Sequence, residues 1–364
     1  MSMLYDEGQE AIANESRRVL DARTNKDRLL ELLEVTGEHD ESFWSTAVEQ
    51  GWTALAISEE HDGLGLGLVE LGLVAQAAGT ATSGAPFLTS GYAASYAIEA
   101  SDDAVVQSRW LPKLAAGEAL AAAAFAEGTE PLPAVPNVTM VDGKLTGCKE
   151  SVTGGLKADV ALVWANHDGQ PALVVTALEG TTRKAVDSFD NSRLFADLIF
   201  KDTPGAVIAS GDEARALALD TLARMAVVTA HEQVGGAEAL LTIARDYALT
   251  RKAFGQPIGA FQSVKHRIAE MYGLVQIARA NCIHAASSAG KPGFLIAAAD
   301  ARLSATEAYD TTARDCMQIH GGIGVTWEQG LHLHMRRTRT LALEQGNMLF
   351  WEDLLVEQLT GEAP

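Results

Sequence analysis

Positive charge is scarce in this sequence. The chain of 364 residues carries 28 lysines and arginines against 48 aspartates and glutamates, which gives a formal net charge of -20. Such a negative field repels nucleic acids and anionic membrane surfaces. Nucleic-acid binding is therefore excluded as an interpretation, while the acidity itself mainly supports solubility and identifies no substrate.

Cysteine and long apolar runs are also scarce. The three cysteines show no CxxC spacing, so the sequence favours neither a disulfide framework nor a thiolate metal site. No run of about 18 apolar residues predicts a membrane span, and the acidic N-terminus lacks the apolar core of a signal peptide. These absences predict a cytoplasmic protein without a bound metal.

Residues 1–119 have the periodicity of helices, with apolar side chains recurring through positions such as Leu20 and Leu29. We expect helix boundaries at Gly37, Pro86 and Pro112, because glycine and proline interrupt helical hydrogen bonding. This segment is predicted to form an N-terminal α-helical domain.

Residues 120–210 have the character of a β domain. Asp142-Gly143 lies between two short apolar runs, and this pair favours a type I′ turn, which requires positive φ at both central residues. The expected strands are 138–141, 144–147, 160–164 and 173–178. A compact middle β domain is predicted.

Residues 211–364 return to a helical pattern. A stripe with alternating steps of four and three predicts a helix packed lengthwise against others; it consists of Val264, Ile268, Met271, Val275, Ala278 and Cys282. Three further long helices are expected over 214–250, 294–317 and 331–359. Together they predict a C-terminal four-helix bundle domain.

Two motifs in the bundle carry ligand chemistry. Arg251-Lys252-Ala253-Phe254-Gly255 follows a long helical run and continues to Gln262, and Gln318-Ile319-His320-Gly321-Gly322 comes later. A guanidinium at a helix end can clamp a pyrophosphate with bidentate hydrogen bonds. Glycines without Cβ atoms let a ligand approach the backbone. Alone, either motif also fits a solvated helix end or a helix break.

In combination, these motifs and the order of helical, β and helical segments resemble the acyl-CoA dehydrogenase family over essentially the whole chain. The resemblance implies an α+β fold, FAD as cofactor, an acyl-CoA substrate and electron-transfer flavoprotein as acceptor. The implied reaction is α,β-dehydrogenation, in which a carboxylate removes the α-proton and the β-hydrogen leaves as hydride to the flavin.

The resemblance also assigns roles to residues. It implies that Arg251, Phe254, Gln262, Gln318, Gly321 and Gly322 bind FAD, with Arg251 directed to the FAD of a neighbouring subunit. His320 is interpreted as a packing residue or as a hydrogen-bond donor to the cofactor. The family places a threonine at position 153 whose hydroxyl and backbone face the flavin ring, so the resemblance implies that Thr153 and the neighbouring Ser151 also contact the cofactor. Two nearby positions depart from the family pattern, because Ser151 replaces a tryptophan and Ala126 replaces a threonine.

The catalytic base is the largest departure. The family keeps its glutamate either after the glycine-pair motif or on the helix before the arginine motif, and these positions are Gln345 and Met225 here. Neither side chain takes up a proton at neutral pH. Glu344 is one residue away and is the remaining candidate for the base, with an exposed helix glutamate as the alternative interpretation.

Several functions therefore stay open. We expect one subunit of a heteromeric α2β2 acyl-CoA dehydrogenase, similar to those acting on bulky acyl groups such as steroid side chains, in which a second acyl-CoA dehydrogenase-like subunit carries the glutamate. The alternatives are a self-sufficient homomeric dehydrogenase with Glu344 as base, a noncatalytic structural subunit, and an oxidase passing electrons to oxygen.

Overall fold

The computed structural model describes residues 5–82 and 87–361. The first segment is helical, as predicted. Its helices are α1 (Glu7–Arg23), α2 (Lys26–Leu32), α3 (Glu41–Glu49), α4 (Leu68–Thr80), α5 (Phe87–Glu99) and α6 (Ala104–Ala115). Asp6, Asp40 and Asp103 cap α1, α3 and α6 by accepting hydrogen bonds from backbone N–H groups. The boundary expected at Pro112 is wrong, since this residue lies inside α6, and the one expected at Pro86 lies outside the described residues.

A mixed sheet forms the middle of the chain. Its strands are β1 (Ala121–Ala124), β2 (Thr139–Val141), β3 (Lys144–Val152), β4 (Val160–His167), β5 (Gln170–Ala177), β6 (Thr182–Ala185), β7 (Ala196–Pro204) and β8 (Ala206–Ser210). The order is β6-β7-β3-β2-β4-β5-β8, and β1 pairs with β4 in parallel. Asp142 and Gly143 have φ values of 47° and 75°, so the predicted turn between β2 and β3 is confirmed.

The last segment contains α7 (Gly211–Thr250), β9 (Lys252–Ala253), β10 (Gln256–Pro257), α8 (Gln262–Ser287), α9 (Phe294–His320), α10 (Leu331–Leu341) and α11 (Met348–Thr360). Helix α9 packs against α8, α10 and α11. Met271, Val275, Ala278 and Cys282 of α8 are buried, as their spacing predicts. The single helix expected over 331–359 is instead two helices, because Gln345 and Gly346 adopt left-handed φ values of 57° and 100°.

The chain divides into two compact units. One joins 1–31, 72–84 and 226–364, and the other joins 32–71 and 85–225. Helices α4 and α7 each belong partly to one unit and partly to the other, so these units do not correspond to the three expected domains. The domain boundaries expected after residues 119 and 210 remain a prediction. Within residues 5–82 and 87–361, no helix is long and apolar enough to cross a bilayer, and no cluster of metal-ligating side chains is present.

Candidate functional site

A tight hairpin follows the end of α7 and displays the first ligand motif. The Arg251 N–H donates to the carbonyl of Tyr247 at 2.8 Å, and the Ile258 N–H donates to the carbonyl of Arg251 at 2.8 Å. Strands β9 and β10 pair in between, with Phe254 and Gly255 at the tip. Their φ values of 50° and 82° are those of a two-residue hairpin turn.

Phe254 projects from this hairpin. Its side chain is 98% exposed and its ring meets Phe261 only edge-on at 6.2 Å. A non-glycine residue with a left-handed backbone costs about 1–3 kcal/mol, and the surrounding structure must hold it there. The Arg251 side chain beside it is exposed and makes no ion pair within the described part of the chain. The hairpin therefore presents an uncompensated cation and an aromatic ring to a ligand or partner.

The second motif forms the end of α9. Gln318, Gly321 and Gly322 are exposed, and a Cβ atom added at either glycine would meet no atom within 4 Å. Gly321 has a left-handed φ of 59°. This bare stretch of backbone leaves open space in which a ligand can lie against the main chain.

His320 connects the two motifs. Its buried ring stacks on Tyr247 with a centroid distance of 4.0 Å, and its Nδ1 lies 2.8 Å from the carbonyl of Cys316. Because a carbonyl only accepts, that nitrogen carries the proton and donates. Tyr247 lies one helical turn before Arg251, so the stack fixes the end of α7 beside the end of α9. The geometry supports the packing interpretation of His320, and Gln262 lies exposed at the start of α8.

The segment predicted to face the flavin ring lies in the other unit. The pairing of β3 with β7 is irregular between Lys149 and Val152, and Ser151 has a left-handed φ of 50° with its N–H donating to Asp197 at 3.0 Å. Thr153 lies two residues after Ser151 and is half-buried, whereas Ala126 is exposed. No side chain at 151 or 126 is larger than serine, so this segment lacks the bulk of the family's tryptophan.

A buried ion pair under this segment was not anticipated from the sequence. The Lys149 ammonium is fully buried and donates to Glu127 at 2.6 Å and to the carbonyl of Phe125 at 3.0 Å. Burial lowers the pKa of Lys149 to about 8, against the opposing effect of Glu127. Glu127 also accepts from the backbone N–H of Asn137 at 2.7 Å. These contacts tie the segment after β1 into the sheet.

Gln345 occupies the expected base position in the turn between α10 and α11. Its Oε1 accepts a hydrogen bond from the Thr229 hydroxyl of α7 at 2.8 Å, and its backbone carbonyl accepts from the Trp351 indole at 3.1 Å. Met225 precedes Thr229 by one turn of the same helix and is buried. Neither position supplies a proton acceptor.

Glu344 is buried rather than exposed, so the alternative interpretation of an exposed helix glutamate is wrong. It is 6% exposed, in a turn and not in a helix. Arg302 of α9 donates from Nη2 to the backbone carbonyls of Glu344, at 2.7 Å, and of Leu341. Burial lowers the pKa of Arg302 to about 10, and the negative charge of Glu344 is the largest opposing effect. The glutamate therefore lies in the field of a buried cation.

Residues 6–118 match the N-terminal domain of acyl-CoA dehydrogenases, and residues 215–349 match the C-terminal domain. Acyl-CoA dehydrogenase IpdE2 of Mycobacterium tuberculosis is 32% identical over 304 residues, covering 82% of this chain and 80% of that protein. The chain belongs to the acyl-CoA dehydrogenase family. It is an FAD-dependent oxidoreductase by that membership.

Solved structures share the same fold. The ChsE4-ChsE5 complex from Mycobacterium tuberculosis aligns with a TM-score of 0.88 at 23% identity, covering all of both chains. A glutaryl-CoA dehydrogenase from Mycobacterium smegmatis in complex with FADH2 aligns with a TM-score of 0.88 at 21% identity, covering 99% of this chain and 96% of that one. At these identities the likeness supports the helical, sheet and helical architecture alone.

The residues of the nucleotide motifs fit FAD as the family cofactor. A free guanidinium suits a pyrophosphate, and the open backbone at the glycine pair suits a flat dinucleotide. Arg251, Phe254, Gln318, Gly321 and Gly322 are the residues of this chain that would hold it. When bound, FAD supplies the hydride acceptor, and the protein must supply position and a proton acceptor.

Proposed function

We propose that this chain is one subunit of a heteromeric acyl-CoA dehydrogenase and that it supplies nucleotide-binding residues to an FAD whose catalytic glutamate belongs to a partner chain. The observation that carries this proposal is Gln345 at the base position. A neutral amide takes up no proton at physiological pH, so it cannot remove the α-proton of an acyl thioester.

The surroundings of that position support the same conclusion. The Thr229 hydroxyl and the Trp351 indole hold Gln345 in place, and Glu344 is buried against the field of Arg302. Arg302 also holds the backbone carbonyl of Glu344 at 2.7 Å, and Glu344 lies one residue away from the base position rather than at it.

The exposed hairpin supports the role given to the partner. Phe254 and Arg251 extend into solvent from a backbone held in a strained conformation. Exposed side chains on a backbone that is already fixed are suited to a surface that another chain and its cofactor cover. The shared fold with the ChsE4-ChsE5 complex supplies a precedent for two unlike chains of this architecture in one assembly.

The substrate of the proposed enzyme is an acyl-CoA thioester with a bulky acyl group. Small residues at Ser151 and Ala126 leave room on the flavin side, which favours a wide acyl group. The proposed electron acceptor is electron-transfer flavoprotein, on family membership alone.

Co-expression tests the proposal. The chain is purified alone and together with the product of an adjacent acyl-CoA dehydrogenase gene, and the visible flavin spectrum of each sample is recorded. We expect a colourless chain alone and a yellow complex that bleaches with a suitable acyl-CoA. Full flavin loading and turnover by the chain alone would overturn the shared site.

Arg251 provides a sharper version of this test. Arg251→Ala should weaken FAD binding by the complex about 10- to 100-fold, the usual range for a lost charge-assisted hydrogen bond. Arg245→Ala is the matched control, because Arg245 is exposed near the end of the same helix and pairs with its sequence neighbour Asp246. Equal FAD content in both variants would favour the noncatalytic structural subunit.

A homomeric dehydrogenase with Glu344 as base is the second candidate, favoured by the burial of Glu344 next to the base position. If this candidate is correct, the chain alone is yellow, and Glu344→Gln abolishes bleaching by acyl-CoA while flavin content stays unchanged. In the heteromer, the same substitution leaves the α-proton transfer to the partner's base intact.

A further inference from the structure

Helix α8 carries a second stripe of residues with four-and-three spacing, on the face opposite its buried stripe. This outer stripe consists of His266, Glu270, Gly273, Ile277, Ala280 and His284. All of its members are exposed except Gly273, which is half-buried, so the described part of the chain leaves this face uncovered. A helix with four-and-three spacing on two faces can pack lengthwise against a neighbour on each side.

Gly273 is the least expected member of the outer stripe. It lies in the middle of a 26-residue helix, an environment in which only proline is less favourable than glycine. Its φ is not left-handed, and an added Cβ atom would meet nothing within 4 Å in the described chain. Neither the backbone conformation nor packing within the chain therefore requires a glycine here. What the missing side chain does provide is room for a group from outside the chain.

Ile277 is the matching projection, one helical turn after Gly273. Its side chain is 56% exposed, although isoleucine is among the residues most often buried. If a second α8 packs antiparallel about a two-fold axis midway between these two positions, each Ile277 lies over Gly273 of the other copy. The symmetry repeats this contact twice. The largest apolar side chain of the stripe then fills the space left by its smallest residue.

The charged member of the stripe selects the same arrangement. In the antiparallel pair, Glu270 lies opposite Ala280 of the second copy and next to its His284, whose imidazole N–H can donate to the carboxylate. In a parallel pair, Glu270 would instead face Glu270 of the second copy, and like charges in close contact repel each other. Charge therefore favours the antiparallel packing that also brings Ile277 onto Gly273.

We propose that the outer face of α8 is an interface at which two copies of this chain pack antiparallel about a two-fold axis, with Ile277 of each copy seated over Gly273 of the other. The occupant is a second copy because the stripe is complementary to itself, both in shape and in charge. The contact does not depend on where the catalytic base lies, since a homomer and a heteromer with two copies of this chain both accommodate it.

Sedimentation velocity of the full chain, and of its complex with a partner chain, tests the association. Gly273→Leu should raise the melting temperature of the dissociated chain by roughly 2–4 °C, because leucine favours a helix far more than glycine does. The same variant should associate at least about 10-fold more weakly, because leucine occupies the space of Ile277 at two symmetric contacts. Gln358→Leu, at an exposed position of α11, is the matched control and should associate as wild type.

Two outcomes of this measurement would overturn the inference. One is a wild-type chain that has a single copy in every sample, alone and in the complex. The other is a Gly273→Leu chain that folds and associates as tightly as wild type. A variant that is both stabilised and dissociated cannot be explained by misfolding, so it supports the interface.

Disulfide trapping tests the register. Cys148→Ser first removes the exposed native cysteine. Chains with Gly273→Cys and chains with Ile277→Cys then carry different tags and are co-expressed before oxidation. Because a disulfide requires Cα atoms within about 7 Å, covalent dimers should join unlike tags. Dimers of like tags, or none, would refute the seating of Ile277 over Gly273. Neither measurement uses flavin content or turnover, so a failure here leaves the proposed function unaffected.

Discussion

Replacing Arg302 by methionine should loosen the turn that carries Gln345. Methionine has comparable length but no donors, so the carbonyls of Leu341 and Glu344 lose their Nη2 partner inside a buried region. Each orphaned acceptor costs about 1–3 kcal/mol. Gln233 Oε1 also loses its donor at 2.6 Å, and the Thr306 hydroxyl, 3.3 Å away, compensates only in part because it shares its one proton with the backbone carbonyl of residue 302 at 2.8 Å.

The net effect is smaller than the sum of these losses, because removing a buried guanidinium also removes the cost of desolvating it. We expect about 2–4 kcal/mol of destabilisation. For a unit of this size that is a fall in melting temperature of roughly 4–16 °C, at about 2–4 °C per kcal/mol. Differential scanning calorimetry measures the shift, and amide hydrogen exchange over 341–347 should accelerate.

The control for this prediction is Arg314→Met on the same helix. Arg314 is 59% exposed and pairs with Asp310 at 2.9 Å, and such surface pairs contribute about 0–1 kcal/mol. The reasoning is refuted if Arg302→Met lowers the melting temperature no more than Arg314→Met does. Unchanged amide hydrogen exchange over 341–347 would likewise show that Arg302 does not hold the turn.

Three further outcomes are expected. Burial lowers the pKa of Lys149 to about 8, so above that pH the unfolded chain binds more protons at this residue than the folded chain does. The free energy of unfolding should therefore rise from pH 8 to about pH 10.4. Lys149→Met should remove this rise, measured as urea midpoints. Burial lowers the pKa of His334 to about 3, so the unfolded chain binds more protons at this residue between about pH 6.5 and pH 3. The free energy of unfolding should therefore fall as the pH drops through that range. His334→Phe should reduce the difference between the urea midpoints measured at pH 7 and pH 5. Phe254→Gly should leave the chain as stable as wild type or slightly more stable, because strain at the hairpin tip is relieved, yet lower the FAD content of the complex; unchanged FAD would contradict the role of the ring.

Local chemistry explains what the sequence could predict. Asp142-Gly143 specifies its turn by the φ values that the residues tolerate, and the four-and-three spacing of α8 specifies which face is buried. The nucleotide motifs could be proposed from the sequence because the residues of each motif lie close together in the chain, and their role in binding FAD stays a prediction. The hairpin at Phe254-Gly255 could also have been found, since Gly255 and the nearby Pro257 are residues that favour turns.

Tertiary contacts explain what the sequence could not predict. The break between α10 and α11 lies at Gln345-Gly346 without a proline, and Arg302 stabilises it from a helix roughly forty residues earlier in the chain. Pro112 is tolerated near the end of α6, although isolated proline predicts a boundary. The stack of His320 on Tyr247 and the burial of Lys149 likewise depend on partners distant in sequence.

The hold of Thr229 and Arg302 on residue 345 has an evolutionary consequence. Glutamine and glutamate codons differ by a single nucleotide, and the two side chains have nearly the same shape. A carboxylate at 345 would meet the same threonine hydroxyl and the same fixed backbone as the amide does now. If the proposed function is correct, Gln345→Glu would therefore place a carboxylate in contacts that this chain already provides, and a single nucleotide change would suffice.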